Sequence, residues 1–506
     1  MDTSHHTWDI YGIHDIFKRN AHLFPNKPAI RDRHGTLSHG ELLARINALA
    51  CGLSAIGISK GATIAVLSMN RNDYLTVYGG AAALGAIVVP INWRLSDQEI
   101  DYILKDSRAK ILFVDDAHAN RCEFEGRRIC FGCDTSTAHT PFEELLETEK
   151  TLISSADTAD AAGKDDPFCL LYTAAVTGSP RGAVLSHGNI IASNLQTALT
   201  MGITQDDVYL NMLPLFHITG INLSFSTMQM GGGNVIMEKF NPEEALTLVE
   251  REKITLMASF PPILATLTER LNAAPKDTSS LRNITGIDSS ENILAFTRLT
   301  DSRFWVFYGQ GETSGFVTMA DSMERPGSAG REALISRVAI LDKNDKESPP
   351  DTLGEIGVRG PLVFQGFWDL EKLDRSTFKN GWHHTGDLGQ IDRDGYLWFK
   401  GRKPEKELIK PGGENVYPAE VEAVIQLHPG IEESCVIGVP DPKFGEGVKA
   451  VCTAKKGEKI TAADLIEFVG SRIARYKKPS QVVFVESLPR NADGSIDRNK
   501  VKELYS

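Results

Sequence analysis

The alternation of two apolar patterns constrains the fold of this chain most strongly. Continuous apolar runs at 62–68 and 110–114 each follow a segment with helical periodicity. Two segments begin with the spacing of a capping box, Ser38-x-x-Glu41 and Ser96-x-x-Glu99. Because strands that alternate with helices form βαβ units, we predict an α/β fold with helices and parallel-rich sheets.

The 506 residues are enough for two or more domains. A polar connecting segment at 134–166, with one short helix over 142–149, precedes a second α/β stretch that ends near residue 307. Glycine, aspartate and aromatic residues become dense beyond residue 351, which is typical of short strands and turns. We predict a large N-terminal domain (1–400) and a small, mobile α+β C-terminal domain (401–506), with helices starting at Pro418 and Thr461.

Composition excludes several classes of protein. A formal net charge of −12 disfavours general binding to nucleic acid. The longest apolar run, 78–91, is shorter than a membrane span and contains Pro90, and the N-terminus lacks the pattern of a signal peptide. Seven cysteines, an odd and small number, favour a cytoplasmic location, and the isolated Cys130-x-x-Cys133 is interpreted as chance.

Four short segments combine strand ends with glycine, hydroxyl or charged side chains: 170–182, 214–217, 308–315 and 381–422. The first ends in Thr-Gly-Ser-Pro-Arg-Gly, a loop whose N–H groups could surround phosphate oxygens. Taken alone, this loop is better explained as a tight turn after a strand. His217, in the second segment, lies among apolar residues and could simply be a core histidine.

The two later segments carry isolated charges. Glu312 follows an apolar strand and a glycine turn, where a carboxylate could hold a metal ion or simply face solvent. Asp387 could accept hydrogen bonds from the two hydroxyls of a ribose, with Arg402 beside it. Alternatively, each of these two residues forms a salt bridge within a loop.

The order of these segments resembles the adenylate-forming superfamily of acyl-CoA synthetases, peptide-synthetase adenylation domains and luciferases. The resemblance extends over essentially the whole chain, including the C-terminal motif at 488–498. The stretch Gly-Glu-Asn-Val-Tyr-Pro-Ala-Glu-Val-Glu at 413–422 is characteristic of the acyl-CoA and aryl-CoA synthetase branch. The resemblance implies a ligase that joins a small carboxylic acid to coenzyme A, uses ATP and Mg²⁺, and releases AMP and pyrophosphate.

The resemblance also implies a role for individual residues. Glu312, His217, Arg402 and Ser495 occupy the positions of catalytic residues, with Glu312 on Mg²⁺ and His217 in the acyl pocket. The implied nucleotide-binding residues are Thr173, Thr177, Gly178 and Arg181 at the phosphates, Tyr308 and Gly309 near the adenine, and Asp387 and Arg402 at the ribose. Gly412 and Gly413 would lie beside the pantetheine, where glycine permits a close backbone approach.

The chain departs from the family pattern at several positions. The phosphate loop reads Ala-Ala-Val at 174–176, and Gly311 replaces the usual threonine before the glutamate. Ser495 stands where the family has a lysine that bridges the carboxylate and the α-phosphate. The hinge position is Pro404 or Lys406, because about two residues are inserted after Arg402.

These departures leave two alternatives to a CoA ligase. One is an adenylation-impaired homologue that binds nucleotide or acyl-adenylate, and the other is an adenylating enzyme with an acceptor other than CoA. Lys477, Lys478 and Lys500 are candidates to replace the missing charge at residue 495. The sequence leaves aryl and medium-length acyl acids both open, and it leaves the oligomeric state open.

Overall fold

A computed structural model describes residues 11–132, 139–147, 162–173, 180–403, 407–491 and 494–506. Its helices are α1 (Ile13–Leu23), α2 (His39–Ala55), α3 (Asn72–Leu84), α4 (Asp97–Asp106), α5 (Phe142–Leu146), α6 (His187–Met201), α7 (Ile218–Gln229), α8 (Pro242–Glu252), α9 (Ile263–Ala273), α10 (Ser290–Thr300), α11 (Glu371–Thr377), α12 (Pro418–Gln426), α13 (Ala462–Gly470) and α14 (Arg498–Tyr505). Helices α2, α3, α5, α6, α7 and α8 contact strands of the sheets, so the α/β fold class is confirmed.

Two large sheets form the N-terminal part. One has seven strands in the order β7-β6-β5-β3-β4-β8-β9, parallel except for its β8–β9 hairpin. Its strands are β3 (Thr63–Leu67), β4 (Ile87–Pro90), β5 (Ile111–Asp115), β6 (Arg127–Phe131), β7 (Thr140–Pro141), β8 (Pro167–Thr173) and β9 (Arg181–Ser186). The strands predicted at 62–68 and 110–114 are confirmed as β3 and β5, which are completely buried.

The other large sheet has nine strands in the order β16-β15-β14-β13-β12-β10-β11-β1-β2. They are β1 (Pro28–Asp32), β2 (Gly35–Ser38), β10 (Val208–Asn211), β11 (Gly233–Ile236), β12 (Leu256–Ser259), β13 (Asn283–Gly286), β14 (Arg303–Gln310), β15 (Gly315–Asp321) and β16 (Arg331–Glu332). Strands β1 and β10 to β14 are parallel, which matches the predicted parallel-rich sheets. The main hydrophobic core lies between the two sheets, where α1, α2, α3 and α7 pack together.

A smaller antiparallel sheet follows. Its strands are β17 (Arg337–Leu341), β18 (Gly354–Arg359), β19 (Phe378–Lys379), β20 (Trp382–Ile391) and β21 (Leu397–Arg402). Because β21 pairs with β20 as far as Arg402, this sheet extends two residues beyond the predicted boundary at residue 400. The division at 400/401 remains a prediction.

The C-terminal unit, defined as the described residues from 407 to 506, has its own core. Its sheet consists of β22 (Ile431–Asp441), β23 (Gly445–Ala454) and β24 (Gln481–Phe484), packed against α12 and α13. The predicted helix starts are confirmed, since α12 begins at Pro418 and Thr461 caps α13 by accepting a bond from the Asp464 N–H. The N-terminal unit is defined as the described residues up to 403.

Two further predictions concern membrane-spanning segments and cysteines. Among the described residues, no helix combines the length and the apolar character that crossing a bilayer demands. Cys51, Cys122, Cys169, Cys435 and Cys452 are free thiols. Cys130 is disulfide-bonded, which the interpretation of Cys130-x-x-Cys133 as chance did not anticipate, while Cys133 lies outside the described residues.

Candidate active site

A cavity of about 690 Å³ lies between the two units, beyond the carboxyl ends of β8 and β14. This is where open α/β sheets bind ligands. The N-terminal unit contributes to its lining Thr173, Pro180, His217, Phe260, Gly286, Tyr308, Gly309, Gln310, Gly311, Asp387 and Arg402. The C-terminal unit contributes Lys410, Gly413, Glu414, Asn415, Phe444, Tyr476 and Lys477.

Glu312 and Thr173 face each other at the ends of two strands. Thr173 ends β8, and Glu312 lies on the 3-10 turn Gly311–Thr313 that follows β14. The Thr173 hydroxyl donates to Glu312 Oε1 over 3.3 Å. Arg181, the first residue of β9, is the cross-strand partner of Thr173. Thr177 and Gly178, predicted at the phosphates, lie outside the described residues.

Asp387 is the centre of a buried hydrogen-bond network. Its side chain accepts bonds at Oδ2 from the Tyr308 hydroxyl (2.7 Å) and from Gln310 Nε2 (2.8 Å). Arg402 lies opposite Asp387 across β20 and β21, with its Nε 3.1 Å from Asp387 Oδ1. Asp387 is 5 % exposed, so these three donors supply most of what water would provide to the carboxylate.

The network leaves acceptor capacity on one oxygen of Asp387. A carboxylate has about four lone-pair sites, and Oδ1 meets only Arg402 among the described residues. Burial, and then the charge of Asp387, raises the pKa of Tyr308, so this phenol stays a hydrogen-bond donor. Gln310 was missed as a site residue, although it lies inside the 308–315 segment, because an amide in a turn carries no distinctive signal.

His217 precedes α7 and caps it. The Thr219 N–H donates to His217 Nδ1 over 3.4 Å, which places the ring proton of a neutral imidazole on Nε2. Burial, followed by the positive charges of Lys410 and Arg94, lowers the pKa of His217 to about 4. His217 is therefore neutral near pH 7, and its ring lines the cavity beside Ile218 and Phe316.

Gly412 and Gly413 bring the C-terminal unit against the N-terminal unit. Both lie on the turn Pro411–Gly413 and have positive φ values, +59° and +88°, that glycine adopts readily. A Cβ on Gly413 would lie 3.4 Å from the Phe260 ring. Gly413 thus forms part of the wall of the cavity, and the place of both glycines beside a pantetheine remains a prediction.

Lys410 immediately precedes this turn and was not predicted. Loss of hydration, and then the nearby Arg402 guanidinium, lowers the pKa of Lys410 to about 8, while Asp387, Glu446 and Glu312 act in the opposite direction. Lys410 lines the cavity, near enough to Asp387 and Glu312 to interact with their charges. In the sequence Lys410 is one lysine among many, and only the packing of the two units reveals its position.

Ser495 lies away from the cavity. It is exposed on the C-terminal unit, where Asn491 Nδ2 donates to its Oγ over 3.0 Å. The structure therefore does not bring Ser495 together with Glu312, Asp387 and Arg402. The hinge candidates Pro404 and Lys406 lie outside the described residues.

The donor set at Glu312 suits one kind of metal. Among the residues that the structure describes, no group of three or more His, Cys, Asp or Glu side chains could enclose an ion. One carboxylate beside one hydroxyl matches Mg²⁺, which keeps several waters and binds through one or two carboxylates together with phosphate oxygens. Glu312 and Thr173 thus fit Mg²⁺ that arrives with a nucleotide.

The fold and this cavity belong to a known class of nucleotide-using enzymes. The family model for AMP-binding enzymes matches residues 17–368, and the model for the C-terminal domain of AMP-binding enzymes matches residues 420–495. The chain belongs to the AMP-binding enzyme family.

Curated relatives match along nearly the full length. An indoleacetate–CoA ligase of Aromatoleum aromaticum is 34% identical over 498 residues, covering 96% of this chain and 97% of that protein. A feruloyl-CoA synthase of an Amycolatopsis species is 32% identical, covering 96% of this chain and 98% of its own length.

Solved structures of one relative, the o-succinylbenzoate CoA synthetase of Bacillus subtilis, match this chain to different degrees. A double mutant bound to the product analogue OSB-NCoA matches with a TM-score of 0.85 at 29% identity, covering 96% of this chain and 98% of that chain. The same enzyme with its acyl-adenylate intermediate gives 0.70, covering 96% of this chain and 97% of that chain. This chain thus adopts an overall arrangement closer to that of the analogue-bound structure.

Proposed function

We propose that this protein is an ATP-dependent carboxylic acid–CoA ligase that works through an acyl-adenylate. The observation that carries the proposal is the joint cavity, which is lined by Thr173 and Asp387 of the N-terminal unit and by Gly413 of the C-terminal unit, with Glu312 hydrogen-bonded to Thr173. Glu312 and Asp387 would bind the Mg²⁺ and the ribose of an adenylate. The glycine turn would form a narrow entrance for a thiol. The CoA-ligase names of the relatives and the shared arrangement support the same reaction.

In the first step, a carboxylate oxygen of the acid attacks the α-phosphorus of ATP, and the bond to pyrophosphate breaks. We assign Thr173 and Arg181 to the phosphates, and Asp387 with Arg402 to the ribose hydroxyls. Mg²⁺ bound at Glu312 would neutralise phosphate charge. Tyr308 and Gln310 hold the Asp387 carboxylate in place, so its orientation is set before the nucleotide binds.

In the second step, the thiol sulfur of CoA attacks the acyl carbonyl, the bond to AMP breaks and the thiol loses its proton. The Gly412–Gly413 turn would pass beside the pantetheine, and His217 would lie beside the acyl group as a neutral donor. The wall near His217 is apolar, with Phe260 and Phe316. This lining suits both aryl and medium-length acyl acids. We propose a cytoplasmic location, which the five free thiols of the described residues favour although Cys130 is disulfide-bonded.

A panel of aryl and medium-chain acids, assayed with ATP, Mg²⁺ and CoA, tests the proposal. We expect AMP and pyrophosphate together with an acyl-CoA, separated by chromatography. ADP and phosphate as products would refute it. AMP release that does not depend on CoA would favour a different acceptor, and AMP binding without turnover of any acid would favour the adenylation-impaired alternative that Ser495 suggests.

A further inference from the structure

A buried lysine connects the two units at the rim of the cavity. The Lys477 side chain is 1% exposed, and its Nζ lies 2.8 Å from Glu420 Oε2 within the C-terminal unit. The same Nζ lies 2.5 Å from Glu99 Oε1, on α4 of the N-terminal unit. We call these three side chains the Glu99–Lys477–Glu420 bridge.

The Glu99 carboxylate is oriented before it meets the lysine. Its Oε2 accepts bonds from the Ser96 backbone N–H (2.8 Å) and from the Ser96 hydroxyl (2.7 Å), which completes the capping box of α4. Only Oε1 is then directed across the interface to Lys477. The helix cap thus fixes the acceptor, and forming the bridge costs Glu99 little further rotamer entropy.

Glu420 alone could balance the charge of Lys477 inside the C-terminal unit. Glu99 adds a second carboxylate from the other side of the interface, and it reaches Lys477 only while α4 and the C-terminal unit are in contact. A buried ammonium strongly favours a second acceptor, since water cannot reach it. Glu99 therefore stabilises this arrangement relative to any in which the units separate at α4.

A second interdomain contact lies next to the glycine turn. Glu414, one residue after the turn, accepts bonds from Arg94 Nη1 (3.0 Å) and from Asn92 Nδ2 (3.2 Å). Asn92, Arg94 and Glu99 lie on one short stretch of the N-terminal unit. The bridge and this contact thus act together on the position of Gly413.

We propose that the Glu99–Lys477–Glu420 bridge is a positioning device for the thiol step. It holds the C-terminal unit where the Gly412–Gly413 turn forms the cavity wall, so it supports reaction of the acyl-adenylate with CoA and leaves acyl-adenylate formation unaffected. This inference rests on the proposed ligase function. Glu99, Lys477 and Glu420 are positioning residues and need not touch the reacting atoms.

The variant Glu99→Gln tests the bridge, because glutamine can still complete a capping box but carries no charge. Glu41→Gln is the matched control, since Glu41 completes the same type of box with Ser38 at the start of α2, away from the interface. Glu99→Asp keeps the charge and should restore part of the rate.

Two half-reactions are measured by rapid quench, with the acid that releases most AMP in the panel. The first is pyrophosphate release without CoA, and the second is acyl-CoA formation from preformed acyl-adenylate. We expect Glu99→Gln to slow acyl-CoA formation by about 10-fold or more, because it breaks a buried ion pair. Pyrophosphate release should stay within about twofold of the wild-type rate. Glu41→Gln should match the wild type in both half-reactions. An unchanged second half-reaction, or equal loss in both, would overturn the proposal.

Hydrogen exchange of the ligand-free protein separates failure of the bridge from failure of the proposed function. In Glu99→Gln, but not in Glu41→Gln, exchange should rise in peptides covering 92–99 and 411–417. If the wild type forms no acyl-CoA, this rise still supports the bridge as a positioning device, while the ligase proposal fails. Exchange that matches the wild type in both peptides would overturn the bridge whatever the activity.

Discussion

At the scale of single residues, Glu312 has the clearest consequence. Its carboxylate faces the Thr173 hydroxyl at the ends of two strands. Glu312→Gln keeps the shape but removes the charge that would hold Mg²⁺, so we expect acyl-adenylate formation to fall by about 100-fold. Pyrophosphate release in a single turnover at saturating Mg²⁺ measures the rate of acyl-adenylate formation. Glu458→Gln, an exposed surface change, is the control. A loss of only a few-fold would show that Glu312 is not the ligand.

Lys410 should make nucleotide affinity depend on pH. Its pKa of about 8 means that the ammonium is charged at pH 7 and largely neutral at pH 9. The phosphate of AMP is a dianion throughout that range, because its second pKa is about 6. We expect the affinity for AMP, measured by calorimetry, to fall by about tenfold from pH 7 to pH 9.

The variant Lys410→Met should bind AMP weakly at both pH values and show little pH dependence. Lys456→Met changes an exposed lysine on the same unit and should behave like the wild type. If the wild type and Lys410→Met have parallel pH profiles, the charge of Lys410 does not contact the nucleotide.

The residue scale also shows where sequence reasoning ends. Asp387 and Arg402 were predicted as a pair, and they face each other across β20 and β21. Gln310 was missed because its role depends on packing beside Asp387, and Lys410 was missed because its role depends on which units meet around the cavity. A glutamine in a turn and a lysine in a polar stretch look alike whether or not a carboxylate is packed beside them.

At the scale of elements, the Pro411–Gly413 turn gives a sharp test. Gly413→Ala forces an L-residue into φ +88° and directs a methyl group at the Phe260 ring, 3.4 Å away. Gly457→Ala imposes similar backbone strain at φ +93°, with no atom within 4 Å of its Cβ. We expect only Gly413→Ala to slow acyl-CoA formation from preformed acyl-adenylate, by about tenfold. Equal effects of both variants would mean that backbone strain, and not the methyl group directed at the Phe260 ring, slows the reaction.

Local elements followed from the sequence, but their assembly did not. The capping boxes at Ser38 and Ser96 and the proline start of α12 depend on neighbouring residues, so their patterns identify them. The pairing of β1 with β11 joins residues about two hundred positions apart, and no local pattern records it. The division into a seven-stranded and a nine-stranded sheet therefore required the structure.

At the scale of the whole molecule, Ser495 is far from the cavity in this arrangement of the units. If the C-terminal unit rotates for the first step, residue 495 would approach the α-phosphate, as the family resemblance implies. Ser495→Lys would then supply a positive charge and speed acyl-adenylate formation by about 10²–10³. The reaction of preformed acyl-adenylate with CoA should remain nearly unchanged, because that step uses the present arrangement.

Pre-steady-state rates of both half-reactions decide the matter. If a nearby lysine already provides the charge, Ser495→Lys changes the adenylation rate little. Replacing Lys478 or Lys500 by an uncharged residue then abolishes adenylation instead. Lys477 is a poorer substitute, since two carboxylates hold it at the interface. An adenylation rate that responds to none of these changes would refute the charge argument.

The location of the interdomain contacts has a consequence for exchanging parts between relatives. Asn92 and Arg94 donate hydrogen bonds to Glu414, and Glu99 accepts one from Lys477, so these contacts come from a single short stretch, residues 92–99. A chimera that carries a foreign C-terminal unit therefore has to match its new host in this stretch. Grafting residues 92–99 together with the foreign unit would bring both sides of these contacts into the hybrid. For the same reason, residues 92–99 and the C-terminal unit should be inherited together.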